Sequence, residues 1–455
     1  MPKLRKYQTE DVNFLVRRNS AACFNEQRTG KTPIALTVVQ LRECPKTLIV
    51  CPKSAIPQWL DEWNRWLPGV PCIIAAGTPK QKKEIICQWT RGLIVSYDSL
   101  KIVTKNNKSY GLAHDVLHEH PEFVIIDEAH RIRGRTTATA KAVKLFANAK
   151  YKLALTGTPA PGKPSDVIPL IQWLFPKAFP SYWKTVEYFF KITKNFANGN
   201  AYLEITEYLP GKDIEMINLL KEFSTQRKRK EVMDWISKDS IHIKVKLPLT
   251  KEQTRYIKEL VHHFETEHVI TQGILDRLIR YRQICLHPKI LNLKGESPKL
   301  NWIKDYLDDY PDQSVIIFSK FTSFLNIAAA ELEKYNIRLI IGKTPIKERK
   351  QIVKEFQSGR VKILLLNIDA GKEALTLDRA EVCIFTDKFP PVGDIQQAEA
   401  RFVSSTKDKA DKPHTIYELI MSDSYDEDIY ELIRKNASLT DIINDYKKHL
   451  EKGGE

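Results

Sequence analysis

The chain alternates short apolar blocks with polar, turn-rich stretches. Thr47–Cys51, Gly92–Ser96, Phe123–Ile126 and Lys152–Leu155 are β-rich, and each is followed by polar or turn residues. Continuous apolar blocks suit strands covered on both faces, as in a parallel sheet between helices. A second series starts at Ser314 with Val315-Ile-Ile-Phe318 and continues through Arg338–Ile341, Lys362–Leu366, Glu381–Phe385 and Thr415–Glu418. Between the two, from about Phe175 to Leu300, the pattern is helical and basic, with Gln226-Arg-Lys-Arg-Lys230 and the amphipathic stretch Glu252–Phe264. The pattern predicts an α/β protein with two parallel-sheet lobes in tandem. Lobe 1 covers 1–175, a mainly helical insertion and linker covers 176–300, and lobe 2 with C-terminal helices covers 301–455. Two short polar/apolar alternations around Asn198-Gly199-Asn200 predict a β-hairpin over 194–209. Trp59, Trp63 and Trp66, spaced by four and three, predict the buried face of a helix.

Composition fits this picture and adds a charge. With 455 residues the chain exceeds a single ordinary core. Its 71 Lys+Arg against 56 Asp+Glu leave a formal charge of +15, which favours a polyanionic partner, nucleic acid first. The seven cysteines are scattered and form no C-x-x-C pair, so reduced thiols are expected. Met1-Pro-Lys-Leu-Arg-Lys lacks an apolar signal core and no membrane-spanning run appears, so a cytoplasmic, membrane-free protein is expected.

Two segments carry phosphate chemistry. Thr29-Gly30-Lys31-Thr32 lies between the apolar Ala21–Phe24 and the helical Pro33-Ile-Ala-Leu-Thr-Val-Val39. A strand, a tight turn and a helix start aim backbone N–H groups at phosphate, with Lys31 reaching β/γ oxygens and the Thr32 hydroxyl facing Mg²⁺. The full glycine pattern would place glycine at Asn25. Phe123-Val-Ile-Ile-Asp127-Glu128-Ala129-His130 is an apolar strand ending in two carboxylates. Asp127 suits Mg²⁺ held through water, and Glu128 suits polarisation of an attacking water.

Together Gly30-Lys31-Thr32, Asp127-Glu128-Ala129-His130 and Leu155-Thr156-Gly157-Thr158-Pro159 resemble motifs I, II and III of superfamily 2 helicases. Leu4-Arg5-Lys6-Tyr7-Gln8 resembles the adenine-reading Q motif, Cys51-Pro52-Lys53-Ser54 with Gln58-Trp59 resembles motif Ia, and Arg282–Pro288 resembles the linker signature of the Swi/Snf branch. Val315–Ser319 is similar to motif IV, Asn367 with Ala370-Gly371 and Leu375–Leu377 to motif V, and Gln397-Ala-Glu-Ala-Arg401 to motif VI. The length resembles the phage-encoded, T5-like members of this branch. The resemblance implies two RecA-like lobes, ATP and Mg²⁺ as cofactors, and Gln8, Thr29, Gly30, Lys31 and Thr32 around the nucleotide. It implies catalytic roles for Lys31, Asp127, Glu128 and Arg401, and coupling roles for His130, Thr156, Gly157, Thr158, Gly371 and Gln397. Two departures stand out. Ser404 replaces the second motif VI arginine, leaving Arg401 alone, help from Lys407 or Lys409, or slow hydrolysis. Lys372-Glu373-Ala374 replaces the motif V Gly-Leu-Gly.

By motif position Lys53, Ser54, Ser96, Tyr97 and Thr344 are candidates to grip DNA phosphates, with a core tyrosine the competing role for Tyr97. Arg227 and Arg229 are candidates as a basic patch, against a merely solvated face. Phe196, Tyr202 and Tyr208 are candidates for a strand-separating wedge, against ordinary packing. His118, His120, His262 and His263 have no convincing carboxylate or thiol companion for a metal. The expected function is a monomeric, ATP-dependent helicase or translocase on duplex, forked or branched DNA in replication, recombination or repair. In a phage-encoded protein it would act in the bacterial host cytoplasm. Protein displacement without strand separation, and a weakly hydrolysing DNA-binding module, are the alternatives.

Overall fold

The computed structural model describes residues 2–43, 46–101, 103–105, 108–161, 163–197, 200–232, 241–263, 265–371, 377, 379–389, 395, 398–399, 414–435 and 439–451. The chain divides into two compact units, Met1–Asp234 and Trp235–Glu455.

The first unit is built on a seven-stranded sheet in the order Ser224–Thr225, Ser20–Cys23, Tyr151–Leu155, Phe123–Asp127, Thr47–Cys51, Gly92–Ser96, Cys72–Ile74. Every neighbouring pair runs parallel. Side chains alternate across a strand, so Val124 and Ile126 enter the core on one face while Phe123 and Ile125 enter the core on the other. The tryptophan stripe lies on the helix Ile56–Trp66, with all three rings buried.

The second unit carries a six-stranded parallel sheet in the order Ile241–Leu247, Thr415–Met421, Val382–Phe385, Val315–Ser319, Ile363–Asn367, Ile337–Ile340. The helix Ile274–Leu286 buries Arg282, whose Nη2 donates to the Lys388 carbonyl (2.9 Å) and reaches Asp387 (3.4 Å). The Arg282–Pro288 signature thus pins this helix against the end of the strand Val382–Phe385.

The segment expected as a separate insertion is instead divided. Val186, Phe189, Phe190, Met216 and Phe223 complete the first core, and Tyr256, Leu260, Leu278 and Tyr281 belong to the second. The cause is local. Ser224–Thr225 is too short to read as a strand, and Ile241–Leu247 follows a basic, helical-looking run. The hairpin is present, with Phe190–Ala197 antiparallel to Asn200–Tyr208.

Candidate nucleotide site

The site lies beyond the carboxyl ends of three adjacent strands in the first unit, where open α/β sheets hold ligands. Ser20–Cys23 runs into the loop 24–30 and the helix Lys31–Arg42. Gly30 caps that helix at φ 81, a conformation that suits glycine, and a Cβ there would strike the Gln8 amide. Arg28 holds a similar φ of 64 without being glycine, a strain of about 1 kcal/mol. Pro33 falls in the first helical turn, where a missing N–H costs little.

The loop is held from three sides. Tyr7 Oη (2.7 Å) and Gln8 Nε2 (3.1 Å) donate to the Thr29 carbonyl, and Thr29 Oγ1 donates to the Glu26 carbonyl (2.7 Å). Asn25, standing where the fuller pattern has glycine, is fully buried and donates from Nδ2 to Asp11 Oδ2 (2.6 Å). Arg227 Nε donates to the other Asp11 oxygen (3.1 Å) and its Nη2 reaches Glu10 (3.1 Å). The backbone ladder between the strands Ser20–Cys23 and Ser224–Thr225 continues into the loop, with Phe24 N–H donating to Thr225 O (2.8 Å) and Glu26 N–H to Arg227 O (2.9 Å). Arg229 N–H donates to Glu26 Oε2 (2.8 Å). Lys31 Nζ rests on the carbonyls of Asn25 (3.0 Å) and Glu26 (3.3 Å).

Asp127 ends the third strand. Its Oδ2 accepts from Trp59 Nε1 (2.9 Å), its Oδ1 from the Glu128 N–H (2.9 Å), and its carbonyl from Tyr97 Oη (2.7 Å). Burial, and then the neighbouring charge of Glu128, push the Asp127 carboxyl up to about 6, opposed by the Trp59 bond and Lys31. Glu128 is left-handed at φ 50, and its Oε2 is buried with no hydrogen-bond partner among the described residues. His130 Nδ1 lies 3.5 Å from that oxygen and 3.0 Å from Thr156 Oγ1, and Thr156 Oγ1 accepts from the Thr158 N–H (3.1 Å). Gly157 follows with close neighbours in Gln27 and Asn25. Motifs I, II and III therefore meet within one lobe. Thr32 is the second residue of the helix Lys31–Arg42.

Several candidates sit elsewhere than their assigned roles require. Ser96 and Tyr97 are buried, and Tyr97 is committed to the Asp127 carbonyl, so they support the site rather than grip phosphate. Arg227 and Arg229 are committed to Asp11, Glu10 and Glu26, because those carboxylates line the loop beside them. Tyr208 packs against Phe190, centroids 4.6 Å apart, at the base of the hairpin, which removes it as a wedge. Lys53 and Ser54 form an accessible turn after Thr47–Cys51. Thr344 Oγ1 accepts from the Ile341 N–H (3.0 Å). Gly371 ends the short helix Ile368–Gly371. Gln397, Arg401, Ser404, Lys407 and Lys409, and the side chains of Phe196 and Tyr202, lie outside the described residues. Trp59 was legible only as core. Its role as a donor to Asp127 follows from the rule that a buried indole N–H finds a partner.

Among the described residues, His242, Glu399 and Glu418 form the grouping of metal-ligand type, but Lys388 Nζ already bonds both carboxylates, at 2.9 and 2.7 Å. That cluster holds its own cation.

The sequence matches the SNF2-related domain over residues 7–290 and the helicase conserved C-terminal domain over residues 298–404. It is 25% identical to the Chromodomain-helicase-DNA-binding protein 1-like of Danio rerio, covering 97% of this chain and 44% of that protein. It is 24% identical to the ATP-dependent helicase FUN30 of Saccharomyces cerevisiae, covering 98% and 47%. The chain thus spans less than half the length of these two relatives. Among solved structures, the Sulfolobus solfataricus SWI2/SNF2 ATPase core in complex with dsDNA is 22% identical, with a TM-score of 0.43, covering 95% of this chain and 91% of that one. With the SNF2-related domain matched along well over half its length and the helicase C-terminal domain following it, the chain belongs to the SNF2-related family of helicase-like ATPases.

Proposed function

We propose that the chain is an ATP-driven translocase on duplex DNA, with Lys31, Thr32, Asp127 and Glu128 as its hydrolytic centre. The observation that carries this is the convergence of the P-loop, Asp127-Glu128 and Thr156 beyond three adjacent parallel strands, with one buried Glu128 oxygen accepting no hydrogen bond among the described residues. Lys31 Nζ, resting on two carbonyls, has only to swing from them to reach a β/γ-phosphate. Thr32 and Asp127 would hold Mg²⁺, which supplies charge neutralisation on the phosphates. Glu128 orients and polarises the attacking water. The Glu128–His130–Thr156 series links that step to the loop after Leu155. Arg401 is assigned as the arginine finger by its place in motif VI. A relative whose name mentions DNA, together with the net charge of +15, supports a DNA substrate. Action on forked or branched DNA in replication, recombination or repair is the finer part of the reading and rests on the resemblance to phage-encoded members.

The test is steady-state ATPase rate with single-stranded, duplex and forked DNA at fixed salt. Lys31→Ala should abolish turnover, and Glu128→Gln should keep nucleotide binding while turnover falls about 10²-fold or more. Wild-type turnover in either variant overturns the assignment.

A further inference from the structure

The second unit carries a cationic stripe that the nucleotide site does not use. The helix Ile346–Gln357 buries Arg349, Ile352 and Phe356, and exposes Lys347, Lys350 and Lys354. At 3.6 residues per turn, these three lysines fall within a sector of about 60°, roughly opposite the buried residues. Lys343 is exposed in the turn just before the helix, next to Thr344. Among the described residues none of the four lysines has a carboxylate partner. Elsewhere in the unit Lys244, Lys246, Lys320, Lys334 and Lys362 each pair with an acid within 4.0 Å. The two acids of the stripe's own helix do not neutralise it. Glu348 and Glu355 lie about 80–100° around the helix from Lys347, and Glu355 is engaged by Arg338 (3.4 Å) and Gln351 (2.9 Å).

The base of the stripe is rigid. The Arg349 guanidinium donates to the carbonyls of Thr344 (2.8 Å), Ile341 (3.1 Å) and Gly342 (2.9 Å), tying the turn to the helix. Three fixed backbone acceptors hold the turn 341–344 in one conformation, so Lys343 and Thr344 present from a built platform.

We infer that Lys343, Lys347, Lys350 and Lys354 form a docking stripe for the phosphate backbone of duplex DNA. This inference rests on the proposed function and adds a contact surface outside the motif positions. Lys347 to Lys354 span about 10 Å of helix axis, a length over which duplex DNA presents about six phosphates. Four unneutralised lysines with no aromatic or hydrogen-bonding reader among them hold DNA without reading its sequence.

The experiment measures duplex-DNA affinity of the full chain from 50 to 200 mM salt. The triple variant Lys347→Gln/Lys350→Gln/Lys354→Gln preserves helix propensity, and circular dichroism checks the fold. Its slope of log K against log salt should fall by about 2 to 3, at about 0.9 per phosphate contact, with ATPase in the absence of DNA unchanged. A control triple, Lys80→Gln/Lys141→Gln/Lys177→Gln, changes the net charge equally on the first unit and should leave the slope near the wild-type value. If wild type binds duplex DNA and the stripe variant keeps its slope, or the control loses as much, the stripe is overturned and the translocase reading stands. If wild type shows no salt-dependent duplex binding, both fall.

Discussion

At the scale of single residues, the site depends on how each polar group at the strand ends is satisfied. Asp127 is the sharpest case. It is pushed up to about 6 because burial and the Glu128 charge outweigh the Trp59 bond and Lys31. Under the proposed function Asp127 would hold Mg²⁺ as the carboxylate, so turnover should fall as pH drops through about 6. Trp59→Phe keeps the ring and removes the indole N–H, a donor that favours the charged form. A hydrogen bond to a charged group is worth about 1.5–3 kcal/mol, or about 1–2 pH units. The acid limb of the ATPase profile should move up by that amount, and an unmoved limb would reduce Trp59 to packing. That Lys31, Asp127 and Glu128 lie beyond the ends of strands was readable from the apolar blocks that precede them. Trp59's second role was not, since it depends on a strand 68 residues away.

At the scale of elements, the most consequential feature is the short parallel pairing of Ser224–Thr225 with Ser20–Cys23 and its continuation into the P-loop. It explains how a loop with Asn25 in place of glycine keeps its shape, because Asp11 ties Asn25 to Arg227. Arg227→Met leaves Asp11 buried with its charge partner removed, a loss of about 3 kcal/mol. Asp11→Asn in the same chain removes the stranded charge and should restore most of the melting temperature, while the KM for ATP stays raised because the loop is still untied. A normal KM in the double variant would show that the tether serves stability alone. Sheet strands such as Phe123–Asp127 and Val315–Ser319 were legible as apolar blocks. The two-residue strand was not, because pairing that short leaves no periodicity, and the Arg227–Lys230 run reads as a free basic face until Glu10, Asp11 and Glu26 are folded against it.

At the scale of the whole molecule, the two units have separate cores, and the boundary at Asp234 falls inside the 176–300 stretch expected as insertion and linker, so the first unit extends past 175. A fragment of residues 1–175 would lose Val186, Phe189, Phe190, Met216 and Phe223 from its core, along with the Phe175–Phe223 ring contact at 4.9 Å. It would also leave the outer edge of Ser20–Cys23 unpaired, an open template for association. Residues 1–234 should be monodisperse in size-exclusion chromatography and bind ATP, whereas 1–175 should aggregate. A soluble, nucleotide-binding 1–175 fragment would contradict this account of the lobe.

The tether has a further consequence for biosynthesis. Arg229 meets Glu26 across 203 residues of sequence. The loop leaves the ribosome 203 residues ahead of Arg229, so its clasp is among the last parts of the lobe to be made. Through most of the synthesis of the first lobe the nascent chain therefore carries this loop without its fastening, and the loop is tied only when the end of the first lobe has emerged.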